Sequence, residues 1–354
     1  MHAGAGGLNV KPVISVIIPN YNGSRTIGAC LEAVLACADD DREIVVVDDC
    51  SGDGSGDIIR RFPCRFIQLE KRAGASGARN AGALSSSGDI LFFIDADCLL
   101  QADTLRIVRK CLSTQPEGTI IGGTYTPIPH DPGFFSLFQS VFINYFEARN
   151  SDAPDYVATH ALVIHAETFR KAGGFKEDFL PLLEDVEFSH RLRSAGHKLI
   201  MNPEIQVRHI FNFTLMKSLR NAARKTRYWI AYSLTAKDLF ADSGTASKEL
   251  KINGVVWLAT VLLALFSFLS NGPGLLITVP VLWGVNSIVN GDLVRAFYKT
   301  GGARFSFLAA LYYTIVYPAA VWLGAAGGVL QYCVLRVRQA RGKHADPLSR
   351  GAEE

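Results

Sequence analysis

Two continuous apolar runs, each followed at once by a pair of aspartates, constrain this chain more than any other feature. The runs cover residues 44–47 and 90–94, and the pairs that follow them are Asp48 with Asp49 and Asp95 with Asp97. Apolar runs of this length are typical of parallel strands buried on both faces of a sheet. Ligands of open α/β sheets bind outside the carboxyl ends of such strands, and carboxylates gathered there commonly hold a hard divalent cation. The pattern therefore predicts a metal-assisted site for a phosphate-bearing ligand.

Strands and helices alternate through the first third of the chain, which predicts an α/β fold with a mostly parallel sheet. The strands are expected at 13–18, 43–47, 66–69 and 89–94, with helices following each of them. Ser24 or Thr26 is expected to cap the first helix. A further strand is expected at Ile120–Tyr125. The phenylalanines between 134 and 146 lie at helical spacing and are interpreted as a helix face packed on the sheet, with a stacking platform as the alternative.

Charged residues nearly vanish between 252 and 335, apart from an island at 291–304. The apolar runs at 254–269, 274–289 and 306–335 approach or exceed the roughly 20 helical residues needed to cross a bilayer. We expect a transmembrane region at 252–337 with two to four spans, three by length. Three spans would place the basic residues after 335 outside, against the positive-inside bias, whereas two or four would keep them in the cytoplasm.

The flanking segments differ from both regions. Residues 214–251 are expected to form a basic amphipathic helix in the headgroup layer and a linker, with a solvated surface helix as the alternative. Residues 338–354 form a basic and polar tail, and residues 1–11 lack a signal peptide and are expected to be a disordered leader. Seven scattered cysteines without C-x-x-C or zinc-finger spacing indicate reduced packing residues and a cytoplasmic catalytic domain.

Five blocks in order give the chain a family resemblance. They are residues 16–22 (VIIPNYN), 46–53 (VVDDCSGD), 77–82 (GARNAG), 95–97 (DAD) and 173–185, which begins GGF and ends in Glu184 and Asp185. Together they resemble the family 2 glycosyltransferases of the GT-A fold, over residues 12–213. A C-terminal membrane region is common among bacterial members of that family.

The resemblance implies a set of donor-binding residues: Pro19, Tyr21, Asp49, Arg79, Asn80 and Asp95. Tyr21 would stack on the nucleotide base, and Asp49 would accept a hydrogen bond from the base imide, which favours a UDP-sugar. Arg79 and Asn80 would hold phosphate or sugar oxygens near a helix start. Packing of Asn80 against the sheet edge is the alternative.

The resemblance also implies a metal site and a catalytic base. Asp95 and Asp97 form the D-x-D element, expected on an extended segment where both carboxylates reach one Mg²⁺ or Mn²⁺ ion. His209 would be a further metal ligand, with a structural histidine as the alternative. Asp185 would be the general base, although acidic residues at a helix N-terminus are also common for electrostatic reasons.

Departures from the family pattern bear on the reaction. The Q-x-x-R-W element of processive synthases is missing, and the nearest segment is 224–229, so one sugar per encounter is expected. Glu184, Arg227 and Trp229 are candidates for the acceptor side. No Walker loop, dinucleotide fingerprint or nucleotidyltransferase loop occurs.

The expected enzyme is an inverting, metal-dependent glycosyltransferase of cell-envelope glycan biosynthesis. It would act at the cytoplasmic face of the inner membrane as a multi-pass protein, moving a sugar to a hydroxyl of a lipid or lipid-linked glycan. No nucleic-acid partner is expected. A polyprenyl-phosphate glycosyltransferase and an inactive membrane scaffold remain as alternatives.

Overall fold

The computed structural model describes residues 12–177, 182–270 and 272–344. The expected leader at 1–11 and the end of the basic tail lie outside these residues. Within them, eight strands form one mixed sheet in the order β3-β2-β1-β4-β7-β6-β8-β5. The strands are β1 Ile14–Asn20, β2 Arg42–Asp48, β3 Arg65–Gln68, β4 Ile90–Phe93, β5 Cys98–Leu100, β6 Ile120–Tyr125, β7 Leu162–His165 and β8 Leu199–His209.

Strands β1 to β4 are mutually parallel where they pair, as the alternation predicts, whereas β7 runs antiparallel to β4 and β6. The helices of this part are α1 Ile27–Leu35, α2 Ser55–Ile59, α3 Gly74–Ser85, α4 Thr104–Thr114, α5 Phe134–Ala148, α6 Ala166–Lys171 and α7 Glu184–Ser194. Strand β1 extends two residues beyond its expected end, because Pro19 and Asn20 pair with Val47 and Asp48 of β2. Thr26 precedes α1, but its hydroxyl donates to the Gly23 carbonyl and caps no helical N–H group.

The strands are continuous apolar runs because both of their faces are covered. Ile17, Phe93 and Leu162 from three neighbouring strands belong to one buried cluster. Phe175 and Phe188, from the segment after α6 and from α7, complete that cluster on one face of the sheet. This packing brings the start of α7 towards the carboxyl ends of β1 and β4.

The chain divides into two compact units. One contains the described residues of 12–132 and 143–212, and the other contains those of 133–142 and 213–344. We expected the phenylalanine face of α5 to pack on the sheet, and for the N-terminal half of this helix that expectation is wrong. Phe134, Phe138 and Phe142 instead contact aromatic residues of the helical unit, namely Phe297, Phe305, Tyr312, Tyr313 and Tyr317.

The helical unit contains α8 Leu215–Ala236, α9 Lys248–Leu269, α10 Val279–Val289, α11 Gly291–Leu311 and α12 Tyr317–His344. The charged island at 291–304 is helical in the structure. It forms α11, which kinks at Gly302 (φ 75°) and continues through a π-helical turn into α12. Within the described residues, Lys248–Leu269 and Gly291–Val334 are long and apolar enough to cross a membrane, and Gly274–Val289 is shorter.

Helices α8 and α12 pack closely along their lengths. Gly324 and Gly328 of α12 lie so near the backbone of α8 that a Cβ at either position would meet the carbonyl oxygen of Ala223 or Arg227. The predicted amphipathic helix is therefore observed over Leu215–Ala236, with one side covered by α12.

Candidate active site

The two aspartates after β2 have different environments. Asp48 is buried, and its carboxylate accepts hydrogen bonds from the Asn20 side chain (2.7 Å) and the Ser51 amide (3.0 Å). Asp49 accepts hydrogen bonds from the backbone amides of Ala73 (2.6 Å) and Gly74 (3.0 Å) at the start of α3. An anion at a helix N-terminus is stabilised by the unpaired N–H groups there. Asp48 therefore shapes the loop after β2, while Asp49 joins that loop to α3.

Tyr21 has an exposed ring in the loop after β1. Its side chain is 45% exposed, and the Arg72 guanidinium carbon lies 3.6 Å from the ring centroid. The Arg72 Nε atom is also 3.7 Å from the Asp49 carboxylate. Pro19 is half-buried in β1, just before this loop. The exposed Tyr21 ring and the exposed Arg72 side chain form an aromatic and charged surface, and Arg72 also faces the buried Asp49 carboxylate. Arg72 was not identified from the sequence.

Arg79 of α3 connects two of the predicted acidic residues. Its guanidinium donates to Asp95 and to Glu184, both at 2.7 Å, and it is 4% exposed. Burial acts to raise the pKa of Asp95, but the Arg79 charge outweighs it, so that the pKa lies below its usual value. The two carboxylates compensate the buried Arg79 charge, and an uncompensated buried charge would strongly destabilise the fold. This contact places the D-x-D element and the start of α7 in one cleft.

Asn80, the neighbour of Arg79, is bound by protein groups. Its amide nitrogen donates to the Phe175 carbonyl (2.8 Å) and to Glu177 (2.9 Å), and its amide oxygen accepts from the Phe175 amide (2.9 Å). Asn80 therefore ties α3 to the chain around Phe175, at the end of the segment that resembles the family's GGF block. These contacts correspond to the alternative in which Asn80 has a packing role.

The D-x-D element is not extended, contrary to expectation. Residues 96 and 97 form a turn closed by a hydrogen bond from the Cys98 amide to the Asp95 carbonyl (3.0 Å), because the chain must reverse between β4 and β5. The Asp95 carboxylate is engaged by Arg79, and Asp97 approaches His209 at 3.3 Å (Oδ1 to Nε2). Burial and the neighbouring Asp95 raise the pKa of Asp97 to about 7.

His209 is the last residue of β8 and lies directly opposite Cys98 of β5. Its ring stacks on Phe211 (3.9 Å between centroids) and packs edge-on against Tyr125 (4.9 Å). Asp97, Cys98 and His209 each offer a ligand atom, and these atoms lie within 4.8 Å of one another. The Asp97 carboxylate oxygen suits Mg²⁺ or Mn²⁺, and the His209 imidazole nitrogen suits transition-metal ions, so Asp97 and His209 fit the divalent ion implied by the sequence.

Asp185 occupies the first turn of α7. Its carboxylate accepts a hydrogen bond from the Val186 amide (2.8 Å), and the side chain is partly exposed. Burial and the adjacent Glu184 raise the pKa of Asp185 to about 7. A base whose pKa lies near the working pH is well matched to proton transfer.

A buried histidine that the sequence did not reveal lies near these acids. His160 precedes β7, stacks on Tyr125 (4.1 Å) and approaches Glu147 of α5 at 3.3 Å. Glu147 in turn accepts a hydrogen bond from Thr124 (2.8 Å). The positive charge of protonated His160 acts to lower the pKa of Asp95, Asp97 and Asp185. No local motif marks this residue, because its partners Glu147 and Tyr125 belong to other elements, α5 and β6.

Arg227 and Trp229, the acceptor-side candidates of α8, belong to the helical unit. The Arg227 Nε atom donates to Gln331 of α12 (2.8 Å), and its side chain also lies along Gly327. Trp229 is buried. Both residues contribute to the packing of α8 within the helical unit.

Comparison with known proteins decides the family. The glycosyl transferase family 2 model matches residues 15–163, and the glycosyl transferase family group 2 model matches residues 90–325, about two thirds of the chain. The chain belongs to the family 2 glycosyltransferases. The prediction from the sequence blocks is confirmed, and the protein is an enzyme of the glycosyltransferase class.

Individual relatives agree with this family assignment. Glycosyltransferase AglE of Haloferax volcanii is 27% identical over 240 residues, which cover 65% of this chain and 78% of that protein. Glycosyltransferase GlyA of Streptococcus pneumoniae is 32% identical over 205 residues, covering 54% of this chain and 29% of that protein.

A solved structure resembles this glycosyltransferase over most of its length. It is the mannosyltransferase PcManGT from Pyrobaculum calidifontis in complex with GDP-Man and Mn²⁺, with a TM-score of 0.56 and 17% identity over 91% of this chain and 88% of that one. At this identity the match shows a common fold. The predicted GT-A fold is thereby confirmed.

Proposed function

We propose that this glycosyltransferase moves one sugar from a nucleotide-diphosphate sugar to a hydroxyl of a lipid or lipid-linked glycan, with inversion at the anomeric carbon. The observation that carries the proposal is the Arg79 bridge between Asp95 and Glu184. This bridge joins the D-x-D element, which would face the donor diphosphate, to the start of α7, where Asp185 would face the acceptor.

The donor side consists of Tyr21, Asp49 and Arg72. An exposed tyrosine ring offers a stacking face, which is worth about 1–3 kcal/mol per base. Asp49 is an acceptor suited to the imide N–H of uracil, which favours a UDP-sugar. The structural relative bound to GDP-Man and Mn²⁺ supports a nucleotide-sugar donor and a divalent ion as a class.

Asp97 and His209, with Asp95, would hold the divalent ion. When bound, such an ion would offset the negative charge of the departing diphosphate. Arg79 is already committed to Asp95 and Glu184, so it would position these carboxylates more than it would contact phosphate.

Asp185 would act on the acceptor. Its ionised carboxylate takes the proton of the acceptor hydroxyl, whose oxygen forms a bond to the anomeric carbon from the face opposite the diphosphate. The bond between that carbon and the diphosphate oxygen breaks, and its electron pair leaves with the nucleoside diphosphate. A single displacement of this kind inverts the anomeric configuration.

The helical unit supports the proposed acceptor class. Lys248–Leu269 and Gly291–Val334 would cross the membrane, and α8 carries five basic residues with no acidic residue over its length. We propose a multi-pass protein of the inner membrane whose catalytic unit faces the cytoplasm. A lipid-anchored acceptor would then be presented at the surface where the enzyme resides.

Titration calorimetry of the detergent-solubilised protein with UDP, GDP and CDP, each with and without Mn²⁺, tests the proposal. We expect one nucleotide, UDP, to bind in the presence of the ion, with Asp97→Asn weakening that binding. Asp103→Asn, an exposed carboxylate of the same unit, is the control. Absence of binding for all three nucleotides would support an inactive scaffold.

A further inference from the structure

A cysteine thiol lies among the proposed metal ligands. Cys98 is fully buried, and its Sγ atom lies 3.9 Å from the Asp97 carboxylate oxygen. Directly opposed residues of antiparallel strands project from the same face of a sheet, and Cys98 pairs with His209 across β5 and β8. The thiol and the imidazole therefore flank the same carboxylate.

The spacing of these atoms is close to that of a tetrahedral metal site. Metal–ligand bonds of about 2.0–2.3 Å place neighbouring ligand atoms of such a site about 3.5 Å apart. Two separations are 3.3 Å (His209 to Asp97) and 3.9 Å (Cys98 to Asp97), and the third is at most 4.8 Å. Small rotamer changes would thus be enough for one ion to contact all three.

Ligand chemistry distinguishes the ions that would use this set. Mg²⁺ prefers oxygen ligands, and a thiolate selects softer ions such as Zn²⁺, Co²⁺ and Cd²⁺. Three protein ligands of types O, N and S leave one position open, as in catalytic zinc sites. Asp97 is 40% exposed at its side chain and gives an ion access from solvent to the buried sulfur.

We propose that Asp97, Cys98 and His209 form a soft-metal site that takes Zn²⁺ or Cd²⁺ through the Cys98 sulfur, in competition with the ion used for sugar transfer. The thiol releases its proton to solvent as the sulfur–metal bond forms. Zinc bound there would occupy the Asp97 and His209 ligands and inhibit nucleotide binding that depends on Mg²⁺. The competition rests on the proposed function, whereas soft-metal binding itself does not.

Thiolate coordination has its own optical signal, which makes the proposal testable without activity. Cd²⁺ added to the metal-free, solubilised full chain should produce a thiolate-to-cadmium charge-transfer band in the ultraviolet. We expect this band to saturate at one ion per chain, to be lost in Cys98→Ser, and to require more cadmium in His209→Ala. Retention of the full band in Cys98→Ser would overturn the proposal.

Cys30→Ser is the matched control. Cys30 is also a fully buried thiol close to the D-x-D element, but its Sγ atom contacts the Asp95 carbonyl oxygen (3.7 Å) and is not part of the three-residue set. This variant should keep the band. Cys333→Ser removes the exposed thiol of α12 and corrects for cadmium bound at the surface. Circular dichroism checks that each variant is folded, and Cys98→Ala serves if the serine variant is not.

Two results separate this inference from the proposed function. A Cys98-dependent cadmium band without any nucleotide binding would support the metal site and contradict the donor proposal. Nucleotide binding that requires Mg²⁺, with no Cys98-dependent band, would support the donor proposal and contradict the metal site. If the cadmium band and the Mg²⁺-dependent nucleotide binding are both observed, added Zn²⁺ should raise the apparent Kd for UDP in Mg²⁺ at least tenfold. Equal Kd values with and without Zn²⁺ would contradict the competition.

Discussion

The Arg79 guanidinium donates a hydrogen bond to the Glu184 carboxylate at 2.7 Å, although 105 positions separate the two residues in the chain. Arg79 lies on α3, which packs against β1 and β2, whereas Glu184 begins α7. Since Arg79 also binds Asp95, this one buried cation organises acidic residues from two distant blocks. Arg79, Asp95 and Glu184 therefore form an ion-pair triad that holds the two acidic blocks together.

Replacing Arg79 should destabilise the catalytic unit as well as inactivate it. In Arg79→Ala the two carboxylates remain without their cation, and loss of one member of a buried ion pair costs about 3–5 kcal/mol. Chemical denaturation monitored by circular dichroism measures this loss. Arg106→Ala, which removes an exposed ion pair with Asp103, should cost about 1 kcal/mol or less. Equal effects of the two substitutions would show that the triad contributes no special stability.

Asp185→Asn should remove sugar transfer and spare donor binding. Loss of a general base lowers kcat by about 10²–10⁴-fold, while the amide keeps the size of the side chain. Transfer is measured with a radiolabelled sugar donor and membrane extract as acceptor, and binding by calorimetry with UDP. Full turnover in Asp185→Asn would contradict the base assignment and favour a phosphate acceptor, which is already ionised.

The pH dependence of the wild-type enzyme follows from the same carboxylate. Burial and Glu184 raise the pKa of Asp185 to about 7, so below that pH the residue is protonated and cannot accept a proton. We therefore expect kcat/KM to fall as the pH decreases through about 7. A profile that stays level down to pH 5 would be inconsistent with this role of Asp185.

His160→Asn should move the acidic limb of that profile to higher pH. Removal of the imidazolium charge raises the pKa of Asp185, because that charge favours the ionised carboxylate. His190→Asn is the control, since His190 is likewise paired with an acid, Asp155, at 3.1 Å. If both variants keep the wild-type limb, the charge of His160 does not act on the base.

Tyr21→Ala should weaken UDP binding, whereas Tyr21→Phe should retain it. The ring face supplies about 1–3 kcal/mol of stacking, or about 5- to 150-fold in Kd, and phenylalanine keeps that face. Calorimetry in the presence of Mn²⁺ compares the two variants. Equal weakening by both would assign the effect to the hydroxyl group and remove the stacking role.

The basic face of α8 should bind anionic lipid. Arg220, Arg224 and Lys225 are exposed, and a basic residue near an anionic surface contributes about 1 kcal/mol. The triple glutamine variant, reconstituted in nanodiscs of mixed phosphatidylglycerol and phosphatidylcholine, should retain fewer anionic lipids by native mass spectrometry. Arg106→Gln with Lys110→Gln, on α4 of the catalytic unit, should have no such effect. Unchanged lipid retention in the triple variant would argue for a purely solvated helix face.

The local elements of the fold were predictable because their signals are short-range. Continuous apolar runs marked β1, β2 and β4, and helical spacing marked α5 and α8, within a few residues of the observed ends. The family and the GT-A fold followed from five ordered blocks. The partner of the α5 aromatic face was predicted wrongly, since helical periodicity shows that a face is buried but does not identify what covers it.

The sequence by itself determined which residue types gather at the strand ends, because strand termini and the blocks around them are local patterns. Only the tertiary structure decided how those residues pair. Arg79 against Glu184 and Cys98 opposite His209 join segments more than 100 positions apart in the chain, and His160 meets Glu147 across the connection between α5 and β7. Such contacts depend on strand order, register and helix packing, which bring distant side chains together, and no short stretch of sequence encodes that arrangement.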